Sequence, residues 1–327
     1  MRRREFIAAI GGAAAWPVAA RAQQAAKPLI GFLHGSSAAA FAEHIPAFHK
    51  GLNEAGYVDG QNTTVEYRWA EGRNDILPTL AAELVSRGAA VIVTPISTPA
   101  TVAAKAATST IPIVFVIGAD PVKMGLVASL NRPGGNATGI SDIGVQLGAK
   151  RLALLHELLP NARRFAVLVN PDNPGITEPF VAELQTAASV IGRKIEVVTA
   201  STNSGIDAAF AKLVKMPADA FLISPEALFV ARRSQLLTLA ARHAVPALYH
   251  RRVFADAGGL MSYGSSFADQ FRQTGIYAGR ILRGENPSEM PVQLPTRFEF
   301  VINLQTARTL GIQIPAALLA RADEVIE

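Results

Sequence analysis

Enzymes place particular residue types at particular spacings, and this sequence holds few such arrangements. Gly134-Gly135 is not followed by the Lys and Ser or Thr of a phosphate loop. Nor does it follow a strand and open a helix, as a dinucleotide fingerprint must. No G-x-S-x-G nucleophile elbow occurs. His156-Glu157 has no second histidine at metalloprotease spacing. His44 and His49 are five residues apart, which does not put them on one helix face. The chain has no cysteine, excluding disulfides, thiolate metal sites and lipid-modified cysteine anchors. The expectation is no catalytic group, no metal and no cofactor.

What the sequence offers instead is small polar residues directly after apolar runs. His34, Ser36 and Ser37 follow one run, Thr94, Ser97 and Thr98 another, and Asp120 a third. Later come Asn170, Asp172 and Asn173, then Ser224 and Glu226, then Tyr249-His250. In open α/β sheets ligands bind beyond the carboxyl ends of the strands, so these residues are the candidate binding set. Ser97 and Thr98 precede a helix, where hydroxyls cap and free N–H groups suit a carboxylate. Asp120 or Glu226 suits an ammonium group. Tyr249 and Tyr263 offer flat apolar faces with a polar tip. Plain structural roles are open to the same residues: N-caps for Ser97 and Thr98, turns before proline for Asp120, Asp172 and Asn173.

The elements that would carry these residues alternate. Strands are predicted at 29–33, 64–68, 90–94 and 113–117, with helices at 46–55, 77–86 and 99–107 between them. The order recurs with strands at 165–169, 194–198, 220–223 and 247–249 and helices at 179–190, 208–214 and 232–242. Short continuous apolar runs between amphipathic helices indicate an α/β fold with parallel sheets covered on both faces. Leu29 to Phe165, Pro95 to Pro225 and Pro112 to Pro246 are 136, 130 and 134 residues apart. Such matched landmarks point to two related lobes. The stretch 131–139 reads as a loop, 267–282 as a helix and 297–303 as a strand.

Residues 1–22 read as an export label. A basic start with Arg3-Arg4, a short apolar run and Ala20-Arg21-Ala22 before Gln23 fit a signal of the twin-arginine form, cut after Ala22. The run is shorter than the ~20 residues a membrane span needs. This segment carries +3 of the formal +5 charge, leaving +2 on the other 305 residues. No block of like charge suggests nucleic acid or a membrane surface.

Longer segments then acquire meaning together: 50–57, 61–72, 112–122, 129–139, 260–264 and 314–326. They resemble the ABC-transporter substrate-binding proteins, in the group that includes tryptophan and tyrosine uptake proteins, across essentially the whole chain after the export label. The resemblance implies a type I periplasmic-binding fold: two Rossmann-like lobes with parallel sheets, joined by three crossovers, closing on a small molecule. It implies lobe boundaries of 28–142 plus 264–289 and 143–263 plus 290–327. The partners it implies are a small polar or aromatic acid, including amino acids, and an ABC permease with its ATPase. A periplasmic, monomeric protein that binds no nucleic acid is the expectation. A periplasmic sensor subunit of the same fold and an exported α/β hydrolase are the alternatives.

Overall fold

A computed structural model of the chain describes residues 27–327 apart from Ile143 and Pro217. The expected export label, 1–22, lies outside these residues. The described residues open with a parallel sheet of β1 (Leu29–His34), β2 (Thr64–Trp69), β3 (Val91–Thr94), β4 (Ile113–Ile117) and β5 (Ala137–Ser141). Their order is β2-β1-β3-β4-β5. Ile30, Phe32, Val91, Ile92, Val93 and Phe115 are wholly buried, because helices cover both faces of this sheet. Leu33, Ile92 and Phe115 pack toward one side, while Ile30, Phe32 and Val93 pack toward the other.

A second sheet holds β6 (Arg164–Val169), β7 (Lys194–Thr199), β8 (Ala220–Ile223), β9 (Ala247–Tyr249), β10 (Met261–Ser265), β11 (Phe298–Asn303) and β12 (Glu324–Ile326). Their order is β12-β11-β10-β9-β8-β6-β7, and only the β10–β11 pairing is antiparallel. The first five strands of each sheet therefore share one pattern. In both, the order reverses between the first and third strands. A crevice opens at such a reversal, beyond the carboxyl ends of the strands.

The chain passes between the sheets after β5, after β10 and before β11. Helix Phe267–Leu282 leaves β10 and lies against helix Ile45–Glu54 of the first sheet. The return comes later than the expected 290. Thr138 Oγ1 donates to Met290 O at 2.7 Å, and Val292 N donates to Leu130 O at 2.7 Å. Gln293 N donates to Gly139 O at 2.9 Å. Residues 290–293 thus run alongside β5, with a single bridge between Ile140 and Gln293, while Gly264 and Ser265 stay in β10 of the second sheet.

Two local expectations also change. The loop at 131–139 ends in β5, because Gly139 at φ +153° lets the strand pass close to β4. A Cβ there would stand 2.0 Å from Phe115 O. The helix expected at 179–190 runs Pro174–Val190. Pro174 fills the first turn, where its missing N–H costs nothing, and Pro179 is carried inside. No helix among the described residues is long and apolar enough to cross a membrane.

Candidate ligand-binding cleft

Both crevices are bridged by a side chain. In the first sheet Gly35 N donates to Ser97 Oγ at 3.1 Å, tying the end of β1 to the end of β3. In the second, Asn173 Nδ2 donates to Glu226 Oε2 at 3.4 Å, tying the end of β6 to the end of β8. Between Thr94 and Ser97 the backbone is strained: Ile96 holds φ +52°, rare for a β-branched residue and typical of sites held by their surroundings.

His34 ends β1 and is buried. Its Nδ1 accepts the Ser36 N–H at 2.9 Å, so the neutral ring carries its proton on Nε2. Nε2 has no partner among the described residues. Burial pushes the His34 pKa down to about 4, against a smaller upward effect of Pro95. The His34 ring lies 4.2 Å from Phe41 and 5.2 Å from Trp69. From Phe41 an aromatic strip continues to Phe271 (5.9 Å), His44 (5.4 Å) and Phe267 (5.6 Å). Arg251, from the second sheet, lies 3.9 Å over the Phe267 ring.

On the second sheet Ser224 is fully buried with Oγ unpaired, and Glu226 is 5% exposed with Oε1 unpaired. Burial raises the Glu226 pKa, with Asn173 and Asn170 opposing. A lone acceptor on a buried carboxylate is costly unless something donates to it.

Other members of the expected set have structural partners. Ser37 Oγ accepts Ala40 N–H at 3.3 Å and caps helix Ala38–Phe41. The Thr94 and Thr101 hydroxyls bond at 2.8 Å. Ser36 and Thr98 are half-buried at their strand ends, Thr98 opening helix Thr98–Ala107. Asp120 is exposed and shapes its own turn, accepting Val122 N–H at 2.9 Å and Lys123 N–H at 3.2 Å. Asp172 is exposed, and its N–H donates to Asn170 Oδ1 at 3.0 Å.

The two tyrosines turn away from the crevices. Tyr249 is 1% exposed inside the second sheet's core, stacked 4.7 Å from Phe254. Tyr263 stacks on Phe298 at 6.1 Å and packs on the opposite core. Strand alternation explains both: Tyr249 and Tyr263 face helices, while His250 next to Tyr249 faces the other way.

Three residues at the base of the cleft, Asp142, Arg151 and Arg251, were not in the expected set, and His250 joins them there. Asp142 follows β5, and its Oδ2 accepts Arg251 Nη2 at 2.8 Å while its Oδ1 accepts Ser265 Oγ at 2.8 Å. Burial alone would raise the Asp142 pKa; Arg251, Ser265 and Arg151 outweigh it and hold the carboxyl below its ordinary range. Arg151, 1% exposed, donates to Tyr263 O at 2.8 Å and Gly144 O at 2.7 Å. His250 is buried with Nδ1 unpaired, and burial, then Arg251 and Arg151, holds its pKa well below normal. The strand-end rule reaches Asp142, His250 and Arg251. Arg151 carried a signal too, a cation in line with Leu155 and Leu158 on an apolar helix face. Among the described residues no cluster of three or more His, Asp or Glu could hold a metal.

A family profile described as ABC transporter substrate binding protein matches residues 32–326, and the chain belongs to that family. A tyrosine-binding protein of Clostridioides difficile (strain R20291) is 28% identical over 267 residues, 81% of this chain and 76% of that protein. The structure of an ABC domain in complex with L-Trp from Streptococcus pneumonia superposes with TM-score 0.81 at 25% identity, covering 92% of this chain and 100% of that one. The ligand-free, open structure of a substrate binding protein with adhesive properties from Clostridium difficile gives 0.74 at 25% identity, covering 92% and 99%. The fold is accordingly that of the two-lobed periplasmic-binding proteins, and the chain is a substrate-binding protein of an ABC transporter.

Proposed function

We propose that the protein is exported, captures an aromatic amino acid between the strand ends of its two sheets, and delivers it to an ABC permease and its ATPase without any covalent step. The observation that carries this reading is that the strand ends of each sheet hold buried polar groups without partners. His34 Nε2 is a free donor on one side; Ser224 Oγ and Glu226 Oε1 are free on the other. The rings of Phe41 and Trp69 beside His34 suit a flat apolar body, and Glu226 suits an ammonium group. Tyrosine and L-Trp in the names of two relatives fit the same ligand class. The basic, apolar, A-x-A sequence of residues 1–22 supports export.

No single group supplies the roughly −8 kcal/mol of a micromolar complex. Contacts from both sheets, with water excluded between them, do so together. The ligand favours closure only as far as it binds the closed form better than the open one. A thermal-shift series tests the reading. L-tyrosine, L-tryptophan and L-phenylalanine should each stabilise the protein, by about 2.7 kcal/mol at a hundredfold excess over Kd. Leucine and ribose serve as contrasts, and a flat response to all three aromatic acids sinks the proposal.

A further inference from the structure

We propose that Arg251, held by Asp142 and backed by the buried charge of Arg151, is the subsite that takes a carboxylate on the ligand. The argument is one of unmet donors. Two guanidinium groups converge where the chain crosses between the sheets, and among the described residues only one carboxylate, that of Asp142, bonds to either. Asp142 pairs with Arg251 at 2.8 Å. Arg151 has no acidic partner within ion-pair distance among the described residues, and donates only to backbone carbonyls. The nearby Glu183 accepts Ala149 N–H at 2.9 Å and acts on Arg151 through its charge without bonding to it. Proximity of the cations shows in their titration: burial and then Arg251 push the Arg151 pKa down to about 9, leaving it charged at neutral pH. His250 is neutral and adds no counter-charge.

Guanidinium N–H groups held away from water without an acceptor are expensive unless an anion joins them. Arg251 is the accessible member, its side chain 14% exposed. Its planar guanidinium has five N–H donors, of which one goes to Asp142 Oδ2, and the fork suits a carboxylate. The stack on Phe267 and the Asp142 pair fix the plane of that fork. His250 Nδ1, unpaired and buried beside it, is a second polar atom without a partner.

Position supports the same assignment. Glu226 follows β8 and Arg251 follows the neighbouring β9, and adjacent strands are ~4.8 Å apart. A Cβ on Gly144, whose carbonyl holds Arg151, would stand 3.5 Å from Pro225 beside Glu226. The second sheet thus carries an acid and a base after neighbouring strands, the two charges a zwitterion requires, while the first sheet presents rings. The inference rests on the aromatic amino acid reading and adds which residues read the acid group.

The test compares L-tyrosine and L-tryptophan with their amides by calorimetry, using the full protein. The wild type should prefer each acid over its amide at least tenfold. Arg251→Gln should erase that preference, and Arg251→Lys should keep part of it, with melting curves confirming that both variants fold. If Arg251→Gln weakens acid and amide by one common factor, Arg251 only shapes the crossover and the subsite is wrong. Equal wild-type affinity for acid and amide overturns it too. Failure of all four compounds to bind the wild type removes the aromatic amino acid reading itself, and this subsite with it.

Discussion

Gly51 lies so close to the Arg272 backbone that a Cβ on it would stand 1.8 Å from the Arg272 carbonyl oxygen. Gly275, one turn further along, would meet Phe48 O at 2.2 Å. These glycines let helix Phe267–Leu282 dock on helix Ile45–Glu54, so they decide whether the returning segment packs on the first sheet at all. Gly275→Ala should cost about 1–3 kcal/mol through overpacking, and Gly51→Ala at least as much. Melting temperature reports it. Unchanged stability in both variants would mean that the helices separate without cost.

Removing the Asp142 charge strands Arg251. Asp142→Asn should destabilise the protein by about 3–5 kcal/mol, because breaking a buried pair leaves an uncompensated charge. Adding Arg251→Met to Asp142→Asn should recover part of that loss, since neither charge then remains. Additive losses in the double variant would show that the pair does not interact.

Acid should loosen the fold before the carboxylates titrate. His34 has an ordinary pKa near 6.5 when unfolded and about 4 when folded. Between those values the unfolded chain binds a proton that the folded chain refuses. Stability is therefore full above about pH 6.5, falls as pH drops, and has lost roughly 3 kcal/mol below about pH 4. His250, also held neutral by burial, acts in the same direction. His34→Gln should flatten this part of the stability–pH curve, and an unchanged slope counts against the burial argument.

Glu226 sets stability against binding. Its carboxylate sits buried with one unpaired oxygen, and burial raises its pKa. Glu226→Gln removes the desolvated charge and keeps the shape. The variant should melt no lower than the wild type while binding L-tyrosine at least tenfold more weakly, about 1.4 kcal/mol. Lower stability with unaltered affinity would instead make Glu226 a structural brace for Asn173.

The strand and helix alternation was legible because buried parallel strands are continuous apolar runs, as 113–117 and 220–223 are. β5 escaped because its buried residues Thr138, Gly139 and Ser141 are small and polar, and Thr138 is satisfied by Met290, 152 residues away. The strand-end rule alone points to His34, Ser224 and Glu226, each of which the fold buries with an unpaired polar atom. Tyr249 is buried in the core instead, because the facing of a strand's last residue depends on register, which the pattern of three residues does not set. The Asp142–Arg251 pair joins residues 109 apart. Each looks like an ordinary surface charge until the crossover brings them together.

Trp69 ends β2 beside His34, and it is the sole tryptophan in residues 27–327. Indole emission responds to the polarity and contacts of its surroundings, so every photon from this fluorophore originates at the mouth of the first crevice. Occupancy and closure can thus be followed with L-tyrosine in unlabelled protein trimmed of residues 1–22, which hold Trp16, so that no second indole dilutes the signal.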